Sequence, residues 1–284
     1  MDKVLNLYKL CGETPLECIL RYKKEHPEFE GFSMTYAGRL DPLAEGVLLV
    51  LAGEAVHRKE EFLNLKKEYE VEVLFGVGTD TFDVLGIPLS SLRMRGELGR
   101  VSECKDGARR RESGPNKFLA RNYVWSMDSR LHGNDNTDAE NILKKFLGKN
   151  IFEYPPYSSK PVNGKPLFSI ARSGELDNIE MPKREVEIYN LEILSWRDIN
   201  SKDLLKEIEE KIKSVKGDFR QEIILSKWKE TLNNTDFNFS IAKIRAEVSS
   251  GTYMRTLAYE WGKAMVIPAL AFHIVRTKVG EYMV

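Results

Sequence analysis

The run Val47-Leu48-Leu49-Val50-Leu51-Ala52, closed in by Gly46 and Gly53, constrains the fold more than any other segment. A short apolar run without polar alternation reads as a strand covered on both faces. It is far shorter than the ~20 apolar residues a membrane helix needs. The chain must therefore place layers on both sides of a sheet. The polar stretch before it, Gly38-Arg39-Leu40-Asp41-Pro42-Leu43-Ala44-Glu45, then lies at the edge of a core. A loop held by a rigid strand is a common place for catalytic groups.

Periodicity supplies the other elements. Thr14-Pro15-Leu16-Glu17 predicts an N-cap, a proline at the first helical position and a capping-box glutamate. The helix it opens gives way to a polar loop over 25–31. Lys67-Glu68-Tyr69-Glu70-Val71-Glu72-Val73-Leu74-Phe75 alternates with period two, which predicts a half-buried strand with Tyr69, Val71, Val73 and Phe75 on one face. A glycine-punctuated loop, 76–86, follows. A helix is expected from about Asp138 to Leu147, then the extended segment Tyr154-Pro155-Pro156-Tyr157. Val186 and Ile188, then Leu191 and Ile193, predict a strand with a one-residue slip between the pairs. Lys202 to Lys216 carries Leu204, Leu205, Ile208, Ile212 and Val215 at helical spacing. Ala242, Ile244, Ala246 and Val248 form a further strand. After Ser249-Ser250-Gly251-Thr252, a helix presents Leu257, Trp261 and Met265 on one face. Strands and helices mix without a βαβ rhythm, so the class is α+β.

Charge and cysteine usage narrow the function. There are 43 Lys+Arg and 43 Asp+Glu, a net charge of 0. That excludes a strongly basic or acidic protein but not a basic face. Residues 93–121 hold nine Lys/Arg against four Asp/Glu. With its poor apolar periodicity, 93–137 reads as a flexible basic insertion. Cys11, Cys18 and Cys104 form no C-x-x-C, and the four histidines lack ligand spacing, so neither a disulfide framework nor a metal site is expected. MDKVLNLYKLCGE has no signal-like apolar stretch, and a soluble cytoplasmic protein is expected.

Three polar residues stand out by position, each with a plain structural reading. Asp41 precedes the most buried strand, but Asp-Pro commonly starts a turn. Tyr69 begins an apolar strand face, as a core tyrosine with a rim hydroxyl would. Arg255 opens a helix after Ser-Ser-Gly-Thr, where an anion or simply water could meet it. Spacing alone does not make them converge.

A resemblance does. Gly38-Arg39-Leu40-Asp41-Pro42-Leu43-Ala44-Glu45-Gly46-Val47-Leu48 resembles the G-x-L-D-P-x-A-x-G-v-L motif of the TruB family of tRNA pseudouridine synthases. Lys67-x-Tyr69 with Gly76-x-x-Thr79-Asp80-Thr81-x-Asp83-x-x-Gly86 resembles that family's second motif. Tyr154 to Lys165 is similar to its P-P-x-Y-S-A-x-K-x-x-G segment. Gly251-Thr252-Tyr253-Met254-Arg255-Thr256-Leu257 with Gly262 is similar to its G-T-Y-x-R-t-L…G motif, and Lys9-x-x-Gly12-x-Thr14 to its opening K-P-x-G-x-S/T. The motifs keep the family's order and cover roughly residues 3–92, 151–197 and 240–282. Two positions depart from the pattern. Tyr36 stands where the family often has a histidine, and Pro161 stands at the usual lysine, beside Lys160.

The resemblance implies a pseudouridine synthase fold: a mixed, mostly antiparallel central sheet flanked by helices, with a catalytic cleft. It implies a single catalytic domain over 1–284, carrying the basic insertion at 93–137 and a helical insertion near 200–236, with no C-terminal PUA domain. The implied activity is conversion of a T-loop uridine of tRNA, position 55, to pseudouridine without cofactor or metal. The uracil is cut from the sugar, rotated and rejoined through C5, after the nucleotide has been flipped from its stack. Asp41 takes the essential aspartate's place, Tyr69 that of the base-stacking tyrosine, and Arg255 that of the arginine that aims the aspartate. Tyr36, Arg39, Lys67, Tyr157 and Ile274 are implied to contact the substrate. The T-stem-loop of tRNA is the implied partner, with no membrane or protein partner, and a monomer is expected. Two other readings exist. One is a non-catalytic RNA-binding or RNA-folding module on the same scaffold, against which the intact Asp41, Tyr69 and Arg255 speak. The other is a metal-dependent phosphotransfer enzyme using Asp80 and Asp83, which no glycine-rich phosphate loop supports.

Overall fold

The computed structural model describes residues 2–89, 135–233 and 237–284. In chain order the elements are β1 (Lys3–Lys9), α1 (Pro15–Glu25), β2 (Met34–Ala37), β3 (Ala44–Ala52), α2 (Lys59–Leu63), β4 (Lys67–Phe75), α3 (Asp135–Lys144), β5 (Gly148–Glu153), β6 (Pro161–Val162), β7 (Lys165–Pro166), α4 (Leu167–Arg172), β8 (Lys183–Asn200), α5 (Ser201–Ser214), α6 (Gln221–Leu232), β9 (Asn238–Val248), α7 (Met254–Ala264), β10 (Ala269–Val279) and β11 (Tyr282–Met283). Among the described residues no helix is long and apolar enough to cross a membrane.

The main sheet runs β1-β3-β10-β4-β9-β8-β5, with β2 added to β3 and β11 to β10. Every pairing is antiparallel except a short parallel one, in which Ile274, Val275 and Arg276 of β10 face Ala44, Glu45 and Gly46 of β3. The class and the mostly antiparallel sheet are as expected from the sequence. The Val47–Ala52 run is the interior of β3 and is buried throughout, packed by Val47, Leu49 and Leu51 on one side and Leu48 and Val50 on the other. At ~1.5–3 kcal/mol for each large apolar side chain fully buried, this strand anchors its end of the sheet.

Helices cover both faces of the other end. On one face Tyr69, Val71, Val73 and Phe75 of β4 join Ala139 and Leu143 of α3 and Met254, Leu257, Ala258 and Trp261 of α7. On the opposite face Leu74, Ile241, Leu270 and Phe272 meet Leu204, Ile208 and Ile212 of α5 and Ile224, Trp228 and Leu232 of α6. The glutamates of β4 are not simply solvated: Glu70 pairs with Lys243 and Arg245, and Glu72 with Arg197.

Local signals hold well. The Thr14 hydroxyl accepts from the Glu17 amide while the Glu17 carboxylate accepts from the Thr14 amide, 2.7 Å, closing the capping box of α1. The slip expected in β8 exists, between Ile188 and Asn190 against β9, and a second lies between Ile193 and Ser195. The strand runs on through both shifts to 18 residues, because register shifts bend a strand without ending it. The helix expected from about Asp138 begins at Asp135 and ends at Lys144. Of the basic insertion placed at 93–137, residues 93–134 lie outside the described residues, and 135–137 are the first turn of α3. Met265 caps α7 and, partly buried, packs against the same cluster as Leu257 and Trp261, as their spacing predicts.

One glycine decides the junction between β3 and its neighbours. Gly46 has φ +108°, and a Cβ there would stand 2.2 Å from the Arg276 carbonyl oxygen of β10. Both the backbone conformation and the strand spacing exclude a side chain. Gly46→Ala is therefore expected to lower stability by about 3 kcal/mol or more, read as a shift of the urea midpoint. A midpoint within error of wild type would overturn this account of the junction.

Candidate active site

The loop 38–43 joins β2 to β3, and buried cations hold it in shape. Lys9 of β1 has no exposed surface, and its ammonium donates to the carbonyls of Leu10, Pro42 and Ala44. Burial pushes its pKa down to about 8, partly offset by the nearby Cys11, Glu13 and Asp41. Arg276, also buried, donates from Nε to the Val47 carbonyl at 2.8 Å and from Nη2 to the Gly38 carbonyl at 3.2 Å. The two cations grip the loop at both ends. The Gly12 amide donates to the Pro42 carbonyl, and the Ala44 amide closes a turn onto the Asp41 carbonyl.

That turn presents Asp41 to Arg255. The Arg255 Nε lies 2.8 Å from Asp41 Oδ2, and its Nη2 3.0 Å from Oδ1. Arg255, in the first turn of α7, is 3% exposed, while the Asp41 side chain keeps 28% of its surface. The remaining guanidinium donors go to the Thr81 carbonyl, 2.8 Å, and the Tyr157 carbonyl, 3.2 Å. A second carboxylate, Asp83, stands 3.6 Å from Nε. Burial disfavours charge on Arg255, yet Asp41 and Asp83 outweigh it and hold its pKa above the ordinary value. Asp83 accepts from the Thr81 hydroxyl, 2.6 Å, and the Leu85 amide, 2.9 Å. Burial pushes its carboxyl up to about 6, against the lowering pull of Arg255 and Thr81 and with help from Asp41.

The sheet order brings the remaining residues alongside. Tyr69 of β4 sits opposite Arg276 of β10, and Ile274 opposite Ala44. Tyr69, 8% exposed, and Ile274 share an apolar cluster with Leu40 and Ala44, on either side of Asp41 in the chain. Among the described residues the Tyr69 hydroxyl has no hydrogen-bond partner. Tyr36 packs against the cluster of Cys18, Ile19, Leu48 and Val50, separate from that of Tyr69, and its hydroxyl accepts from the Arg39 Nη2 at 3.1 Å. Tyr157 enters through its backbone carbonyl on Arg255, while its ring lies against Arg220. Lys67 is 4% exposed and spends its ammonium on the carbonyls of Leu63 and Leu65, both at 2.6 Å. Burial, then Arg276 and Arg184, push its pKa down to about 8.

Asp41, Arg255 and Tyr157 thus meet by direct contact, and Tyr69 and Ile274 join through the shared cluster. Sequence reasoning missed Lys9, Arg276 and Asp83 as parts of this site, although Lys9 and Asp83 lie in the quoted motifs. It also missed Tyr253, whose hydroxyl is pushed up by burial and by the Asp41 charge.

Comparison with known proteins identifies the family and the fold. The profile of the family described as TruB family pseudouridylate synthase (N terminal domain) matches residues 28–100 and 124–219. A tRNA pseudouridine synthase B of Oceanobacillus iheyensis is 28% identical over 282 residues, 99% of this chain and 67% of that protein. That of Aquifex aeolicus is 25% identical over 284 residues, 100% and 70% of the respective chains. That of a Nostoc species is 32% identical over 199 residues, 70% of this chain and 53% of the relative. A chain of a crystallised Cbf5–Nop10–Gar1 complex shares the fold, with a TM-score of 0.50 and 16% identity over 99% of this chain and 49% of that one. The chain thus spans about two thirds of the length of the first two relatives and about half of the solved chain.

The position of Asp83 has a measurable consequence. Its folded pKa lies above the ordinary 3.8, so the native state binds this proton more tightly than the unfolded chain does. The stabilisation is full below pH 3.8 and is lost as pH rises through 6. Lowering the pH from 7 to 5 should stabilise wild type relative to Asp83→Asn by about 1 kcal/mol, measured by urea denaturation at both pH values. An identical difference between the two proteins at both pH values would show that Asp83 does not titrate there.

Proposed function

Because the chain belongs to the TruB family of pseudouridylate synthases, we propose that it converts a T-loop uridine of tRNA, at position 55, to pseudouridine, with Asp41, Tyr69 and Arg255 as its catalytic residues. The observation that carries this reading is the two-pronged Asp41–Arg255 contact at the lip of a loop, with the apolar Tyr69 and Ile274 beside it. A carboxylate that is half of a bidentate pair cannot swing freely, yet Asp41 keeps one face open to a ligand.

The target uridine must leave its stack to reach that face. The Tyr69 ring and Ile274 offer it an apolar surface. Asp41 then acts at the sugar, either as nucleophile on the anomeric carbon or as the negative charge that stabilises a positive sugar during cleavage; a carboxylate serves in both roles. The bond from N1 to the sugar breaks, the uracil turns, and C5 bonds to the same sugar carbon. C5 loses its proton and N1 gains one, so the reaction is an isomerisation without redox change. In this reading the Tyr69 hydroxyl, without a hydrogen-bond partner among the described residues, takes the C5 proton. Tyr36 and Arg39 meet the RNA. Lys67 and Tyr157 act from behind, Lys67 by fixing the 63–65 turn and Tyr157 by its carbonyl on Arg255. In this reading the enzyme works as a cytoplasmic monomer on the T-stem-loop, without a protein partner.

The other two readings fare worse. A non-catalytic module has no use for a bidentate pair beside a stacking surface. A phosphotransfer site at Asp80 and Asp83 finds its carboxylates already spent, Asp80 on Arg220 and the Ile87 amide, Asp83 on Thr81 and Leu85.

The test is an unmodified tRNA transcript incubated with the protein in EDTA, with pseudouridine mapped by carbodiimide and primer extension. Modification at position 55 is expected for wild type. Asp41→Asn should reduce it to background while leaving tRNA binding within about twofold, since the substitution keeps size and removes charge. Arg255→Lys should cost about 100-fold in the single-turnover rate, because an ammonium cannot replace the planar fork. Turnover near wild type in Asp41→Asn would sink the catalytic assignment.

A further inference from the structure

Arg220 stands at the start of α6, in the helical pair that covers the face of the sheet opposite Tyr69. It is a non-glycine residue with φ +66°, and its side chain leaves its own helix for two distant segments. The guanidinium lies 3.3 Å from Asp80 Oδ2 through both Nη1 and Nη2. The Nη1 also donates to the Tyr157 hydroxyl at 2.8 Å, and the guanidinium carbon lies over the Tyr157 ring, 4.4 Å from its centre. Asp80 is fixed from its other oxygen by the Ile87 amide at 2.7 Å.

These two segments are the ones that hold Arg255. Thr81, next to Asp80, supplies the carbonyl for Arg255 Nη1, and Tyr157 supplies the carbonyl for Nη2. One cation therefore ties together the two backbone stretches on which a second cation rests. With Arg220 removed, Asp80 keeps the Ile87 amide and its own contact with the Tyr157 hydroxyl, but loses the cation that holds both at once. We propose that Arg220 is a positioning residue for the Asp41–Arg255 pair, clamping the Asp80 loop to Tyr157 so that both carbonyls stay aimed at Arg255. This rests on the reading of the site as a pseudouridine synthase. Its role is distinct from that of Trp228, whose indole donates to the Val84 carbonyl at 3.1 Å and anchors the same loop without touching Arg255's supports.

The test compares Arg220→Gln, Arg220→Lys and Asp80→Asn with Trp228→Phe in the full chain. Two readouts are used: single-turnover pseudouridine formation at saturating tRNA, and the Arg255 Nε–H resonance, assigned by its loss in Arg255→Lys. Arg220→Gln is expected to slow the saturated rate by about tenfold with the tRNA Kd within twofold, and to speed solvent exchange of that Nε–H by a similar factor. Arg220→Lys, which keeps the charge on Asp80 but neither the fork nor the guanidinium over the ring, should fall between Arg220→Gln and wild type. Combining Arg220→Gln with Asp80→Asn should cost little beyond the worse single change, because both break one clamp. Trp228→Phe should lower Tm and leave both readouts unchanged. The proposal is overturned if Arg220→Gln keeps the wild-type rate and exchange, if only its Kd weakens, or if Trp228→Phe matches it in both readouts. Should Arg220→Gln not fold, Arg220→Lys and Asp80→Asn carry the same comparison. A wild type that forms no pseudouridine defeats the functional reading, and the Nε–H exchange still decides the clamp.

Discussion

The site depends on burying one guanidinium. Arg255 is almost wholly removed from water, and an unpaired buried charge would cost several kcal/mol. Asp41, Asp83 and the carbonyls of Thr81 and Tyr157 compensate it. Burial raises the Asp83 pKa, the neighbouring Asp41 charge adds to it, and the pull of Arg255 and Thr81 only partly offsets them. Asp41 keeps the bidentate contact and the open face, while Asp83 is enclosed. The same pair of residue types is thereby sorted by burial alone into one group that meets solvent and one that tunes the cation between them.

Around this pair the fold uses cations in an unusual way. Lys9, Lys67 and Arg276 are buried, and among the described residues each hydrogen-bonds to backbone carbonyls and not to carboxylates. Each fixes a loop end that a neutral side chain could reach only with one donor. Each also leaves its positive charge uncancelled by a hydrogen-bonded acid. The pKa values of Lys9 and Lys67, lowered to about 8, express the strain of that arrangement.

Much of the fold was legible because period and burial coincide. The apolar run of β3, the alternation of β4 and β9, the capping box of α1 and the spacing of α5 each follow from local rules. The convergence of Asp41, Tyr69 and Arg255 was not legible in that way. It arises because β10, last among the long strands, inserts between β3 and β4, and no periodicity records a non-sequential strand order. Only the joint resemblance of several motifs pointed to it. Lys9, Arg276 and Arg220 stayed hidden for a further reason. A cation bonded to carbonyls or to a remote aspartate leaves no complementary charge at helical or strand spacing, so it looks like any surface residue.

The loop carrying Asp80 and Asp83 shows why such hidden partners matter. Phe82 between them has φ +64°, a left-handed conformation that costs an ordinary residue roughly 1–2 kcal/mol. The reversal turns the Thr81 carbonyl and the Asp83 carboxylate onto the same guanidinium. Nothing in Thr-Asp-Thr-Phe-Asp favours that kink by itself. Two remote contacts at Phe82 itself oppose the cost. Its ring stacks on Tyr259 of α7 with centroids 4.1 Å apart, and its carbonyl accepts from the Ala271 amide of β10. A strained loop persists only when its surroundings over-determine it. Here the helix that bears Arg255 also bears Tyr259, so docking α7 on the sheet brings the guanidinium and the loop that receives it into place in one step. The ionic geometry at Asp41 is in this sense a product of apolar packing: the aromatic stack sets the kink, the kink sets the carbonyl and carboxylate, and these set the arginine.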